Sequence, residues 1–362
     1  PHTPHFTAPS AHQPADHDTH HATTHDQGDN DMFGNQTVLV AGAGGFIGGH
    51  LTRALAAQGA RVRGADIKPF AEWHQIPPEI EPMRVDLSTP VGCSHAVDGA
   101  DTVFMLAADM GGMGFIETHK AECMLSVLIS THMLLAARDA GVKRYFYSSS
   151  ACVYAADKQT DADVPGLKES DAYPAMPEDG YGWEKLFTER MCRHFREDYA
   201  LQTRVARYHN VYGPFGTFEG GREKAPSALC RKVAHAALSG QRDIEIWGDG
   251  EQTRSFMYID DCVEGTLRVT AGANTEPVNV GSSELVSINQ MVDLIEEIAG
   301  VKVRRHYKLD APLGVRGRNS DNTMIRAEYD WEPTTRLADG LEHTYRWIYD
   351  QLTARAGMRA VG

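Results

Sequence analysis

The stretch "TVLVAGAGGFIGGHLTRALAAQG", Thr37–Gly59, sets the fold class. It passes from an apolar, β-branched strand through a glycine turn into an amphipathic helix. Gly42, Gly45 and Gly48 fall in a G-x-x-G-x-x-G run at the join. In that context the first glycine permits the tight turn, the second lets backbone approach a pyrophosphate, and the third allows close helix–sheet packing. Phe46 and Ile47 open the helix beside them. Its unpaired N–H groups and dipole favour phosphate at this end. A second strand, "ARVRGADIK", ends at Asp66, where a carboxylate bonds ribose hydroxyls and repels a 2′-phosphate, which favours NAD over NADP. Asp86, in "EPMRVDL" at the end of a third strand, is either an acceptor for the adenine amine or a helix-capping residue.

Outward from this unit the alternation continues. "ADTVFMLAA" is a fourth strand, a helix follows over about 117–139, and "VKRYFYSSS" is a fifth strand. A helix over about 180–198 leads to the strand "QTRVARYHNVYG". The reading is an α/β fold of Rossmann type, a doubly wound parallel sheet covered on both faces. The NAD-binding domain spans 35–210. Past 211 loops lengthen and short strands mix with helices near 223–239, 260–270, 287–299 and 337–355. This predicts a smaller mixed α/β domain for a nucleotide sugar, with some segments returning to the first domain.

Composition narrows the function classes. With 42% hydrophobic and 23% charged residues the 362-residue chain matches an ordinary globular protein. A net charge of −14 argues against a sequence-independent grip on nucleic acid. No apolar run is expected to approach the roughly 20 residues a membrane helix needs. The six cysteines form no C-x-x-C pair, so no metal site is expected and the compartment reads as reducing and cytoplasmic. Residues 1–34 hold seven of the 17 histidines and almost nothing apolar. They are expected to form a disordered tail rather than a signal peptide, with Met32 a candidate start just before the first strand.

Chemistry gathers in the middle of the chain. "YGWEK" places Tyr181 and Lys185 four residues apart on one helix face, where an ammonium beside a phenol favours phenolate and suits a general base. "SSSACVY", 148–154, closes the fifth strand. Its Cys152 is open to four readings: packing, disulfide, metal ligand or reagent.

The order of glycine loop, strand ending in serines and Y-x-x-x-K resembles the extended branch of the short-chain dehydrogenase/reductase superfamily over nearly all of 37–355. Six longer stretches narrow it: "AADMGGMGF" (107–115), "SSAC" (149–152), "LKESDAYPAMPEDGYGWEK" (167–185), "RYHNVYGPFGTFEGGREKAP" (207–226), "WGDGEQTRSF" (247–256) and "GVRGRNSDN" (314–322). Together they resemble the GDP-mannose 3,5-epimerase family.

That resemblance implies NAD as cofactor and a GDP-sugar as substrate. The sugar is oxidised at C4, exchanges protons at C5 and C3, and is reduced again, giving GDP-L-galactose, or GDP-L-gulose when C5 alone is inverted. It implies Tyr181 as the base at the C4 hydroxyl, Lys185 on the nicotinamide ribose, Ser150 on the reacting oxygen, and Cys152 with Lys224 as the acid–base pair. Ala107 joins the cofactor contacts. Gly111, Gly112, Ala151, Asn210, Glu223, Ala225, Lys232, Gln252, Thr253, Arg254 and Arg318 match sugar-nucleotide contacts, with Arg254, Arg318 and Lys232 suited to a diphosphate. Any one of these charges could instead be a surface residue or an internal ion pair. Arg222 is a candidate for depressing the Lys224 pKa. A homodimer through helices 117–139 and 180–198 is expected. The alternatives are a 4-epimerase or 4,6-dehydratase, which need no Cys152–Lys224 pair, and a catalytically silent NAD-binding scaffold.

Overall fold

The structure, a computed structural model, describes residues 32–361; most of the His-rich stretch, 1–31, lies outside the described residues. Met32–Gly34, read with that tail, belong to the folded body. Phe33 is fully buried and meets Phe104 edge-on at 5.4 Å, because an aromatic ring beside the first strand finds an apolar face there.

The strands are β1 (Thr37–Ala41), β2 (Arg61–Asp66), β3 (Glu81–Arg84), β4 (Thr102–Met105), β5 (Arg144–Ser150), β6 (Gln202–Tyr208), β7 (Val211–Tyr212), β8 (Asp243–Trp247), β9 (Thr253–Ser255), β10 (Met257–Tyr258), β11 (Val278–Val280), β12 (Leu285–Ser287), β13 (Arg304–Lys308) and β14 (Gly317–Arg318). The helices are α1 (Phe46–Ala57), α2 (Pro90–Val97), α3 (Met113–Thr118), α4 (Lys120–Asp139), α5 (Tyr181–Tyr199), α6 (Ala225–Ser239), α7 (Ile259–Ala271), α8 (Ile288–Ala299), α9 (Thr323–Tyr329) and α10 (Leu337–Val361).

Seven parallel strands form the central sheet in the order β11-β6-β5-β4-β1-β2-β3. Strands alternate their side chains between faces, so Val38, Val40, Phe104 and Phe146 enter one core while Leu39, Ala41, Val103, Met105, Tyr145 and Tyr147 enter the other. Both faces being buried explains the nearly continuous apolar strands. The chain leaves β1 toward β2 on one side and returns as β4 on the other. The crevice at their carboxyl ends is the switch point where such sheets bind ligands. Strand β11 comes from well beyond residue 211, so the chain re-enters the sheet after building β7–β10. Three small sheets, β10–β7, β12–β9–β14 and β13–β8, make the second region.

Two local differences matter. The helix expected over 117–139 is broken at His119, which stacks on Phe115 at 4.2 Å and leaves α3 and α4 as separate pieces. Helix α4 is, contrary to expectation, long and apolar enough by composition to cross a membrane. Its Cys123, Ser126, Ser130, Met133, Leu134 and Ala137 are buried in the protein, and it packs on α2 and α5.

Candidate active site

The dinucleotide end is built by close backbone approach. Gly42 follows β1 at φ +90°, and a Cβ there would stand 2.9 Å from the Ala107 nitrogen. A Cβ on Gly48 would fall 2.1 Å from the Gly42 carbonyl oxygen, so α1 can start this close only without one. Phe46 and Ile47 occupy its first two positions. Asp66 ends β2 and is buried; Gly44 N donates to its Oδ2 and Lys68 N to its Oδ1, each at 3.0 Å. A carboxylate has about four acceptor sites, so lone pairs remain for ribose hydroxyls. The cradle and the carboxylate fit NAD. Asp86 lies exposed, two residues beyond β3. Its Oδ1 accepts from Ser88 N at 2.9 Å, while Thr89 rather than Asp86 caps α2.

At the chemistry end β5 delivers Ser150, whose Oγ accepts from Cys152 N at 3.2 Å in the following turn. Gly180, at φ +71°, turns the chain into α5, so Tyr181 is its first residue and Lys185 lies one turn on. Tyr181 hydrogen-bonds Ser150. Lys185 is 2% exposed, with Nζ 4.7 Å from the Tyr147 ring centroid, 5.5 Å from that of Tyr181 and 3.7 Å from Glu184 Oε2. Burial raises the Tyr181 phenol well above its ordinary pKa, with Cys152 and Glu184 adding to the rise. The expected lowering by Lys185 is therefore not a property of the protein alone.

Cys152 is 7% exposed, and its thiol is pushed up to about 12 by burial first and Glu178 second, with Arg318 opposing. Arg318 Nη1 lies 3.7 Å from Sγ, its Nη2 donates to Glu178 Oε1 at 2.5 Å, and its Nε to Gln159 Oε1 at 2.6 Å. Arg318, expected on a diphosphate, thus meets the thiol and the Glu178 carboxylate within the protein. Lys224 precedes α6 and its pKa is lowered by burial, partly offset by Cys152 and Cys262. It has no hydrogen-bond or ion-pair partner among the described residues. Arg222 plays no part in this. It pairs with Asp109 at 2.6 Å and covers the Phe115 ring at 3.7 Å. A Cβ on Gly112 would stand 2.4 Å from the Glu223 carbonyl oxygen, and Gly112 N donates to Arg222 O at 3.0 Å. Gly111 packs against Phe115 in the same way. Gly112 brings the 110–114 turn against the backbone leading into Lys224, and Gly111 makes room for the Phe115 side chain beside it.

The remaining predicted contacts are engaged within the protein. Glu223 pairs with Arg231 at 3.1 Å, Lys232 donates to Glu245 O at 2.6 Å, and Arg254 donates to the carbonyls of Thr253, Leu313 and Val315. Arg254 is nevertheless an electrostatic neighbour of Arg318, Glu178 and Cys152, lowered to about 10 by burial first and Arg318 second. Gln252 keeps a buried, unpartnered Oε1. Asn210, at φ +41°, donates to Ser255 O, and Thr253 Oγ1 bonds Ala162 O. Ala151 lies in the Cys152 turn and Ala225 opens α6. A separate surface cleft of about 600 Å³ between β8 and β13, lined by Asp243, His306 and Tyr307 among others, contains none of these groups. Glu178 and Gln159 were not singled out in the sequence; the signal for Glu178 was a carboxylate three residues before Tyr181.

Residues 38–281 match the NAD dependent epimerase/dehydratase family. The chain is 49% identical over 316 residues to GDP-mannose 3,5-epimerase 1 of Oryza sativa subsp. japonica, covering 87% of this chain and 82% of that protein. Among solved structures it resembles UDP-glucose 4-epimerase with UDP-glucose from Thermotoga maritima, at TM-score 0.78 and 25% identity, covering 87% of this chain and 99% of that one. It also resembles UDP-glucuronic acid 4-epimerase from Bacillus cereus in complex with UDP-glucuronic acid and NAD, at TM-score 0.74 and 25% identity, covering 87% and 99%. The chain belongs to the NAD-dependent epimerase/dehydratase family, in the extended short-chain dehydrogenase/reductase superfamily.

Proposed function

We propose that this enzyme is a GDP-mannose 3,5-epimerase, forming GDP-L-galactose, with GDP-L-gulose arising from inversion at C5 alone. The observation that carries the reading is the convergence of two proton carriers, the buried Cys152 and the half-buried Lys224, on the Ser150–Tyr181–Lys185 set. A 4-epimerase has no use for such a pair.

NAD, when bound, accepts and returns a hydride at C4. Tyr181 and Ser150 hold the C4 oxygen, and Tyr181 takes and later restores its proton. Lys185 stands on the same helix face, placed for the ribose. With a carbonyl at C4 the neighbouring C–H bonds become acidic, because the developing charge has an oxygen to rest on. Cys152 and Lys224 then exchange protons at opposite faces, a contribution of typically ~10²- to 10⁴-fold per positioned group. Arg254, Arg318, Lys232, Gln252 and Asn210 are the groups assigned here to the GDP-sugar.

Incubation with GDP-mannose in D₂O, followed by proton NMR, should show deuterium entering at C5 and C3. Turnover without exchange at either carbon would refute the reading. A homodimer is proposed as well: Leu125, Leu128, Trp183 and Phe187 on the adjoining α4 and α5 are 43–59% exposed, an apolar face suited to a second copy.

A further inference from the structure

The Lys185 side chain is almost wholly buried, and a buried ammonium calls for a counter-charge. Two carboxylates stand near it on α5. Glu189 lies one turn on, in the row Tyr181–Lys185–Glu189 that four-residue spacing makes. It is already taken: Arg207 donates to it twice, at 2.9 and 2.7 Å, and Ser149 Oγ donates to its Oε1. Glu184 is the other, with a fully buried side chain. Ser130 Oγ from α4 at 3.1 Å, the Tyr147 hydroxyl from β5 at 3.2 Å and Thr188 Oγ1 from α5 at 3.1 Å all donate to its Oε1. Its Oε2 has no hydrogen-bond partner among the described residues and lies 3.7 Å from Lys185 Nζ. A neutral acceptor would satisfy the three hydroxyls equally well, so the charge on the second oxygen needs another explanation.

We propose that Glu184 is a positioning residue for the cofactor: three hydroxyls fix one of its oxygens, and the other holds the Lys185 ammonium in place for the nicotinamide ribose. The placing of Lys185 at the ribose rests on the epimerase reading above. At 3.7 Å the carboxylate attracts the ammonium but lies beyond hydrogen-bond length, so the three Nζ donors stay available for ribose hydroxyls. The rings of Tyr147 and Tyr181, with centroids 4.7 and 5.5 Å from Nζ, hold the cation in the same way, without a directed acceptor.

The other titratable groups facing Lys185 are Tyr181 and Cys192 on α5 and Tyr147 on β5. Burial is the first cause raising each of these three, so they stay neutral near neutrality. Glu184 therefore supplies the negative charge at this ammonium. It is also the second cause raising the Tyr147 phenol, which keeps that hydroxyl a donor to the carboxylate. The same charge offsets the ammonium at Tyr181, where Glu184 follows burial and Cys152 in raising the phenol. Lys185 thus serves position first, and its pull on the Tyr181 proton is muted in the protein alone.

The test follows NAD release from the full-length holoenzyme and needs no sugar. Release is timed for wild type, Glu184→Gln, Lys185→Met and the double variant, with the denaturant midpoint of each. Glutamine keeps an acceptor for the three hydroxyls and removes the charge. Glu184→Gln should release NAD about tenfold faster or more, since a hydrogen bond from a charged donor carries about that much affinity. In the Lys185→Met background the same change should alter release by less than about twofold, because no ammonium is left to place. Release within about twofold of wild type in Glu184→Gln overturns the proposal. Equal acceleration in both backgrounds overturns it too, since a purely structural carboxylate would behave that way. Wild-type release in Lys185→Met would sink the ribose placement and this proposal with it. Fast release in Lys185→Met but not in Glu184→Gln refutes the Glu184 role alone. Where Glu184→Gln fails to fold, Tyr147→Phe decides, because it keeps the ring beside Nζ and frees one hold on the carboxylate. It should speed release about threefold with Lys185 present and leave it unchanged in Lys185→Met; no change with Lys185 present overturns the proposal.

Discussion

Gly112→Ala is the sharpest probe of how Lys224, the proposed proton carrier, is placed. The added Cβ would stand 2.4 Å from the Glu223 carbonyl oxygen, whereas ordinary contact begins at 3.4 Å. The obstruction is backbone, one residue before Lys224, so no side chain can rotate away. About 1 Å of separation must be made up between the 110–114 turn and the Lys224 loop, and the Gly112 N–Arg222 O hydrogen bond of 3.0 Å opposes it. A misplacement of this size costs on the order of 10²-fold in rate. The glycines at 42, 45 and 48 and Asp66 are in another part of the crevice, so NAD should stay bound. The assay is deuterium incorporation from D₂O at C5 and C3, with retained NAD measured on the same sample. Exchange within about twofold of wild type would show that this backbone contact does not position Lys224.

Three further outcomes are expected. Cys152→Ala should keep NAD and lose C5 and C3 exchange by about 10²-fold or more; full activity would return Cys152 to a packing role. Arg207 and Glu189 form a buried two-pronged ion pair at 2.9 and 2.7 Å beneath β5 and β6, and Glu189 also accepts from Ser149. Arg207→Met should lower stability by roughly 3–5 kcal/mol in denaturant melts, because it strands a buried carboxylate. His209 is buried against Asn279 and depressed to about 3 by burial first. Its folded pKa lies below the unfolded value near ~6.5, so it contributes stability above that value that is lost as pH falls from there toward 3. The loss should reach up to about 4 kcal/mol, and His209→Gln should flatten stability against pH across that window.

What the linear chain determined, and what it left to the fold, divides along physical lines. The parallel sheet follows from β-branched runs alternating with amphipathic ones, and the nucleotide crevice follows from glycines placed between a strand and a helix. Tyr181 and Lys185 share a face because four residues make about one helical turn. All of these are local, so spacing alone carries them. Helix α4 shows the limit of composition. Its apolar length satisfies a membrane criterion, and only its packing against α2 and α5 reveals the core it serves.

The protonation of the site was not legible in this way. Arg318 reads from its residue type as a diphosphate ligand, and only the fold carries it across 140 positions to Glu178 and 166 to Cys152. Arg222 reads as the neighbour that tunes Lys224 until the fold turns it onto Asp109 and Phe115. Proton affinity depends on burial and on charges a few ångströms away, and those distances are set by chain crossings rather than by spacing along the chain. The resemblance read from the sequence implied Cys152 and Lys224 as the pair; the Arg318 fork that joins the thiol to the Glu178 carboxylate appears only when β5, α5, α6 and β14 are brought together.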